Sequence, residues 1–213
     1  MQNGMKPNEV VRRSQRHNRR IERSIKNARF HYKSNIENIN FDESRNLDRN
    51  LVLRLAWCEF VEKNENILIT GSTGVGKSYL GTAFGYQACI EGFKVSYFNT
   101  NKLFAKLKMA KADGSYLREL AKIQRQEVII LDDFGLQALD SQNRITLLEL
   151  IEDRHNNGSV IVTSQIPVAG WYDIIGEKTI ADAILDRLIH QSHRLELKGE
   201  SMRKKRGINK AEN

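Results

Sequence analysis

No apolar run in this sequence approaches the ~18 residues that a membrane-spanning helix needs, and the N-terminus is polar and basic where a signal peptide would be apolar. Neither a membrane-spanning helix nor a signal peptide is expected, and a cytoplasmic protein is. Cysteine is scarce. Cys58 and Cys89 have no metal-ligand spacing and both fall in apolar helical patterns, so they read as reduced core thiols. Internal repeats and low-complexity tracts are also missing. Acidic side chains are nearly absent from residues 1–33, where ten Lys and Arg stand against Glu9 and Glu22. That stretch carries a net +8, which equals the charge of the whole chain, so the other 180 residues are neutral on balance.

What is present suits one sizeable core: 213 residues, 24.5 kDa, 40% hydrophobic. A neutral globular domain with a basic arm suggests a polyanionic partner, most simply nucleic acid. Within residues 8–33 the few apolar residues Ile21, Ile25 and Ala28 share one helix face. Alone they bury too little for a stable domain, so the arm is either a helix that orders on a partner or a solvated charged tail. Asn38–Asp42 reads as a connector, and Leu47, Leu51, Val52, Leu55 and Cys58 keep a helical period over 46–62.

The stretch Ile67-Leu68-Ile69-Thr70-Gly71-Ser72-Thr73-Gly74-Val75-Gly76-Lys77-Ser78 organises the rest. It is a short apolar strand running into GxxxxGK[ST], followed at once by a helical pattern. Gly71 and Gly76 allow a tight turn that aims backbone N–H groups at phosphate oxygens. Lys77 is placed to reach the β- and γ-phosphates, Ser78 to ligate Mg²⁺, and the helix start adds its dipole. The expected ligand is therefore ATP with Mg²⁺, held by Gly71, Ser72, Thr73, Gly74, Val75, Gly76, Lys77, Ser78 and Tyr79.

Strand and helix patterns then alternate. Strands are expected at 66–70, 95–98, 128–131, 160–163 and 194–197. Helices are expected at 77–91 (ended by Gly92), 102–112, 116–125, 142–156 (capped by Ser141) and 180–190. Alternating α and β with continuously apolar strands implies a parallel sheet covered on both faces. In Val128-Ile129-Ile130-Leu131-Asp132-Asp133 an apolar strand closes on two carboxylates. Asp132 takes the Mg²⁺ role and Asp133 the general-base role. Ser164 and Gln165, ending the strand Ser159–Thr163, either sense the γ-phosphate or are ordinary strand-end polar residues. Arg187, in the late helix, either reaches a neighbouring subunit's γ-phosphate or pairs with Asp182 or Asp186 on its own surface.

Together GSTGVGKS, VIILDDFG, VIVTSQIP and ILDRLIHQSHRLELKGESMRKKR resemble the IstB-like ATP-binding proteins, the IstB/DnaC group of the initiator and helicase-loader clade of AAA+ ATPases, over about residues 20–206. The resemblance implies an AAA+ core, slow ATP hydrolysis stimulated by DNA and assembly, homo-oligomers on DNA, and cooperation with a transposase. It also implies that Arg187 acts in trans, that Thr163-Ser164-Gln165 ends the sensor strand, and that the helical insertion 102–125 faces DNA. That insertion carries seven basic residues against Asp113 and Glu119. The chain departs from the pattern twice: only about 60 residues precede the first strand, and no full helical lid follows the last. Arg203 is the candidate for a second sensor Arg, or else part of a solvated basic tail. The expected organisation is a basic helical arm and connector at 1–40, an AAA+ core of α/β P-loop architecture at 41–200, and a basic tail at 201–213. A replicative helicase loader, a small-molecule kinase and a DNA-binding module that holds ATP without hydrolysis are the alternatives.

Overall fold

Side chains alternate across a strand, and the apolar runs here fill two cores at once. The computed structural model describes residues 7–202, with side chains from residue 15 on. It holds five strands: β1 (Asn66–Gly71), β2 (Val95–Asn99), β3 (Val128–Phe134), β4 (Ser159–Ser164) and β5 (Ser192–Leu197). They form one parallel sheet in the order β2-β3-β4-β1-β5. Ile67 and Ile69 of β1 enter one core cluster, while Leu68 between them enters the other. Ile130 and its neighbours Ile129 and Leu131 divide in the same way. Each such fully buried side chain stabilises by about 1.5–3 kcal/mol.

The first cluster lies under α1 (Pro7–Ala28), α2 (Arg49–Leu55), α3 (Glu59–Glu62) and α4 (Lys77–Ile90). The second lies under α5 (Thr100–Ala112), α6 (Tyr116–Gln124), α7 (Ser141–Arg154), α8 (Trp171–Ile175) and α9 (Lys178–Ile189). The result is the expected three-layer α/β/α sandwich.

Local differences from the sequence reading have physical causes. The helical period over 46–62 is cut at Cys58, which takes a left-handed backbone (φ 61°) and starts α3. Both cysteines are buried, and burial pushes the Cys58 thiol up to about 12. Asp140, not Ser141, caps α7, its carboxylate accepting from the Asn143 N–H at 2.7 Å. α8 escaped the pattern because it is five residues long. Its Trp171 is fully buried against Phe134, and the indole N–H donates to the Ile166 carbonyl at 2.9 Å. α1 is docked at its C-terminal end: Ala28 is buried, Ile25 packs on the first cluster, and the Ser24 hydroxyl donates to the Phe93 carbonyl at 3.2 Å. Arg16, Arg19, Arg20, Arg23 and Lys26 stay exposed on the other face.

Candidate functional site

In a parallel sheet the strand ends and helix starts converge at the C-terminal edge, and ligands bind there. β1 leaves that edge at Gly71 (φ 143°), where a Cβ would come within 2.2 Å of the Leu197 carbonyl oxygen. Gly74 (φ 85°) is as constrained, since its Cβ would meet the Ser201 hydroxyl at 2.2 Å. Gly76 (φ 99°) is the N-cap of α4 and supplies no side chain to that helix end, which also has no acidic residue in its first turn. With no side-chain cap in the way, the helix start offers its dipole and backbone to an anion. Lys77 is buried and its ammonium donates to the Ser72 carbonyl at 2.8 Å. Val75 is buried, and the Thr73 hydroxyl donates to the Gln165 side-chain oxygen at 2.7 Å.

The two carboxylates of β3 sit beside this loop in unlike settings. Asp132 is buried; Thr163 donates to one of its oxygens and the Tyr97 hydroxyl to the other, while the Thr100 hydroxyl holds its carbonyl at 2.8 Å. Burial first, and the bond to Asp132 second, push the Tyr97 phenol above its ordinary pKa. Asp133 has a left-handed backbone (φ 59°), a conformation costly for a non-glycine residue and common at functional sites. It accepts from the Asn99 amide at 3.2 Å, and its N–H donates to Thr163 Oγ1 at 3.2 Å.

Gly74, Gly76, Lys77, Ser78, Tyr79, Asp133 and Gln165 line one cavity of about 320 Å³, with Tyr32, Asn38–Asn40, Arg45 and Met202 closing it from the connector and the chain's far end. Gly71, Ser72, Val75 and Asp132 are not on that wall; Asp132 lines a separate cavity with Tyr97 and Asn99, and Asp133 borders both. Ser164 takes no place on the cavity wall. Its hydroxyl donates to the Phe134 carbonyl at 2.7 Å and accepts from the Ile166 N–H at 3.1 Å.

Arg187 lies elsewhere. Its carbonyl and that of Leu188 each accept from the Asn66 side-chain amide at 3.2 Å, and Asn66 opens β1 whereas the loop follows its end. At ~3.3 Å per residue the strand separates them by roughly 15 Å. The Arg187 guanidinium donates to the Ala183 carbonyl at 2.7 Å and pairs with Glu152 at 3.1 Å, rather than with Asp182 or Asp186. Arg203 lies outside the described residues.

Sequence reasoning passed over Arg45, Tyr97 and Asn99. Asn99 ends β2, a position that could have marked it, and Tyr97 lies two residues earlier on the same strand. Arg45 carries no such signal.

A phosphate loop entering a helix, two carboxylates closing β3 with β4 between it and β1, and the strand order together define a P-loop fold of the AAA+ kind. Solved structures agree. A DnaI structure superposes with TM-score 0.67 at 22% identity, over 78% of this chain and 92% of that one. AMPPCP-bound DnaA from Aquifex aeolicus gives 0.68 at 19%, over 86% and 56%. More specifically, the sequence profile of the IstB-like ATP binding proteins matches residues 9–210, and the chain belongs to that family. It is 41% identical over 191 residues to the putative insertion sequence ATP-binding protein y4pL of Sinorhizobium fredii, covering 90% of this chain and 78% of that protein. It is 35% identical over 190 residues to the putative ATP-binding protein of insertion sequence IS21 from Pseudomonas aeruginosa, covering 89% and 72%.

Proposed function

We propose that this protein is a Mg²⁺-dependent ATP hydrolase that assembles on DNA and assists the transposase of an insertion sequence. The observation that carries the ATPase reading is the meeting of the GKS loop, Asp133 and Gln165 on one cavity of about 320 Å³. In this reading the α4 N-terminus and Lys77 bind the phosphates, Asp133 takes the proton of the attacking water, and Thr73 with Gln165 reports the γ-phosphate. Mg²⁺ would be held by the Ser78 hydroxyl on the cavity wall, with the Asp132 carboxylate, itself engaged by Thr163 and Tyr97, acting through the ion's water shell. The described residues bring no group of three or more His, Cys, Asp and Glu together, so the site fits a hard cation that takes its other ligands from phosphate and water. Bound there, it would neutralise charge on the β- and γ-oxygens. Arg187 is too far from its own loop and would serve a neighbour's.

The DNA reading rests on two basic surfaces, the exposed face of α1 and the α5–α6 hairpin, where Lys102, Lys108, Arg118 and Arg125 are exposed. Both offer phosphate contacts and neither carries a base-reading motif, so binding is expected to be salt-dependent and tolerant of sequence. The transposase reading rests on relatives named as insertion sequence ATP-binding proteins. A helicase-loader role is the alternative; the 22% identity to the solved DnaC helicase loader speaks to the fold alone.

The test is a pair of variants. Lys77→Ala removes the loop's own cation and is expected to weaken ATP binding at least about 100-fold in a fluorescent-nucleotide titration, since charge-assisted bonds to phosphate are lost. Asp133→Asn spares the loop and is expected to bind ATP normally while hydrolysing it at least about 100-fold more slowly. Equal nucleotide affinity in wild type and Lys77→Ala would sink the ATP-site reading.

A further inference from the structure

Arg45 lies in a 3-10 turn of the connector, Glu43–Arg45, and is buried. One end of its guanidinium donates to the Val75 carbonyl inside the phosphate loop at 2.8 Å; the other donates to the Asn40 carbonyl. Its own carbonyl accepts from the Lys198 N–H at 3.0 Å, just beyond β5. That segment also grips the loop, the Met202 N–H donating to the Gly74 carbonyl at 2.9 Å. The side chain lines the nucleotide cavity together with Asn38, Ile39 and Asn40, and Tyr32 from the segment that leaves α1 lines it too. A Cβ on Gly76 would stand 2.9 Å from the guanidinium, so the α4 N-cap and Arg45 are in direct contact.

We propose that Arg45 is a positioning residue whose guanidinium ties the phosphate loop to the connector, so that filling the loop with nucleotide is felt at the base of the basic helix α1. The inference rests on the reading of the cavity as an ATP site and adds to it a route from that site to the DNA-facing arm. A planar fork can hold two carbonyls from different segments at once. A lysine keeps the charge but is a single point that cannot bridge them. Loss of the Val75 bond leaves the loop free to sample arrangements that do not present its N–H groups to phosphate. Loss of the Asn40 bond releases the connector from whatever the loop does.

The experiment uses the full chain as wild type, Arg45→Lys and Arg45→Gln, with Lys77→Ala as the nucleotide-binding control. ATP affinity is measured by fluorescent-nucleotide titration, and amide hydrogen exchange over residues 29–46 is followed with and without saturating Mg²⁺-ATP. In wild type, exchange there is expected to slow several-fold on adding ATP. Arg45→Lys is expected to bind ATP about ten-fold more weakly, the worth of one charge-assisted bond, and at saturation to leave exchange over 29–46 unchanged. Equal slowing in Arg45→Lys and wild type, or unaltered affinity in both Arg45 variants, would overturn the proposal. Should the variants not fold, the wild type decides: slowing over 29–46 supports the tie, and its absence overturns it. A wild type that binds no ATP would instead remove the underlying site reading, and this inference with it.

Discussion

The two ends of the sheet each bury an arginine that donates to backbone carbonyls, and the surroundings of the two differ. At the N-terminal edge Arg154 of α7 donates to the carbonyls of Gln126, Glu127 and Ser159 at 3.0–3.1 Å and to that of Ile123 at 3.4 Å. Gly158 beside it has no room for a Cβ, which would lie 2.3 Å from the guanidinium, and the remaining void is about 10 Å³. Burial alone pulls the Arg154 pKa down to about 10. At the C-terminal edge Arg45 holds two carbonyls and faces about 320 Å³ of open cavity beside Lys77. At one end the protein's own carbonyls take both terminal nitrogens of the guanidinium, and only the buried Nε is left without a partner among them. The other gathers donors, two cations and the Asp133 carboxylate around a space, which is how a ligand site differs from a structural knot.

Arg187 would break that division most sharply, because it stands at the closed end yet is proposed to act on ATP. An arginine acting in trans is worth ~10³ to 10⁵ in rate, whereas its half-exposed pair with Glu152 contributes at most about 1 kcal/mol to stability. Arg187→Ala is therefore expected to fold and bind ATP as wild type does, with ATP turnover down at least about 1,000-fold in a phosphate-release assay. Mixed with Lys77→Ala, it should regain part of the activity, since some intact loops then face intact arginines. A mixture as inactive as either parent, with co-assembly confirmed by crosslinking, would confine Arg187 to its surface pair.

Arg154→Ala tests the closed end directly. It removes four bonds to backbone carbonyls, of which those of Ile123 and Glu127 keep an N–H partner, and each buried carbonyl left without one costs about 1–3 kcal/mol. A loss of roughly 3 kcal/mol or more in urea unfolding is expected, with ATP affinity retained in whatever fraction folds. A stability change under 1 kcal/mol would mean that water replaces the guanidinium there and that the knot is not one.

The same division explains what was legible in the sequence. The phosphate loop, the strand closing on Asp132-Asp133 and the alternation of α and β are local patterns with a fixed spacing, and each maps onto an element here. The contacts that join separate segments were not legible. Arg45 sits in a three-residue turn with no period, and its bond to Val75 spans 30 positions. Thr163 was placed at the end of the sensor strand by resemblance alone, and nothing local showed that it holds Asp132, 31 positions away. The break at Cys58 was hidden because a left-handed backbone usually announces itself by Gly or Asn, and neither is present at that position.

The two basic surfaces offer a finer comparison of the same kind. On α1 the exposed cations from Arg16 to Lys26 face solvent. In the α5–α6 hairpin, Lys106 and Lys122 both pair with Glu119 at 2.5 Å. Bonds from those two lysines hold the Glu119 carboxyl at about 2, against 4.5 ordinarily. Since its pKa is depressed in the fold, the pairing is fully present above about pH 4.5 and lost only as pH falls through about 2. Between pH 6 and 8 Glu119 thus offsets one of the two lysine charges, and the hairpin would offer DNA less charge than its basic residues alone suggest. Glu119→Gln releases them. At a slope of about −0.9 per phosphate neutralised, the one charge gained should steepen the plot of log DNA affinity against log salt by about one, and only weakly with pH in that range. The measurement is a fluorescence-anisotropy titration of a labelled duplex from 50 to 200 mM salt, as order-of-magnitude conditions under which such slopes are read. An unchanged slope in Glu119→Gln would mean that DNA does not lie along the hairpin, leaving α1 as the surface that carries the contact.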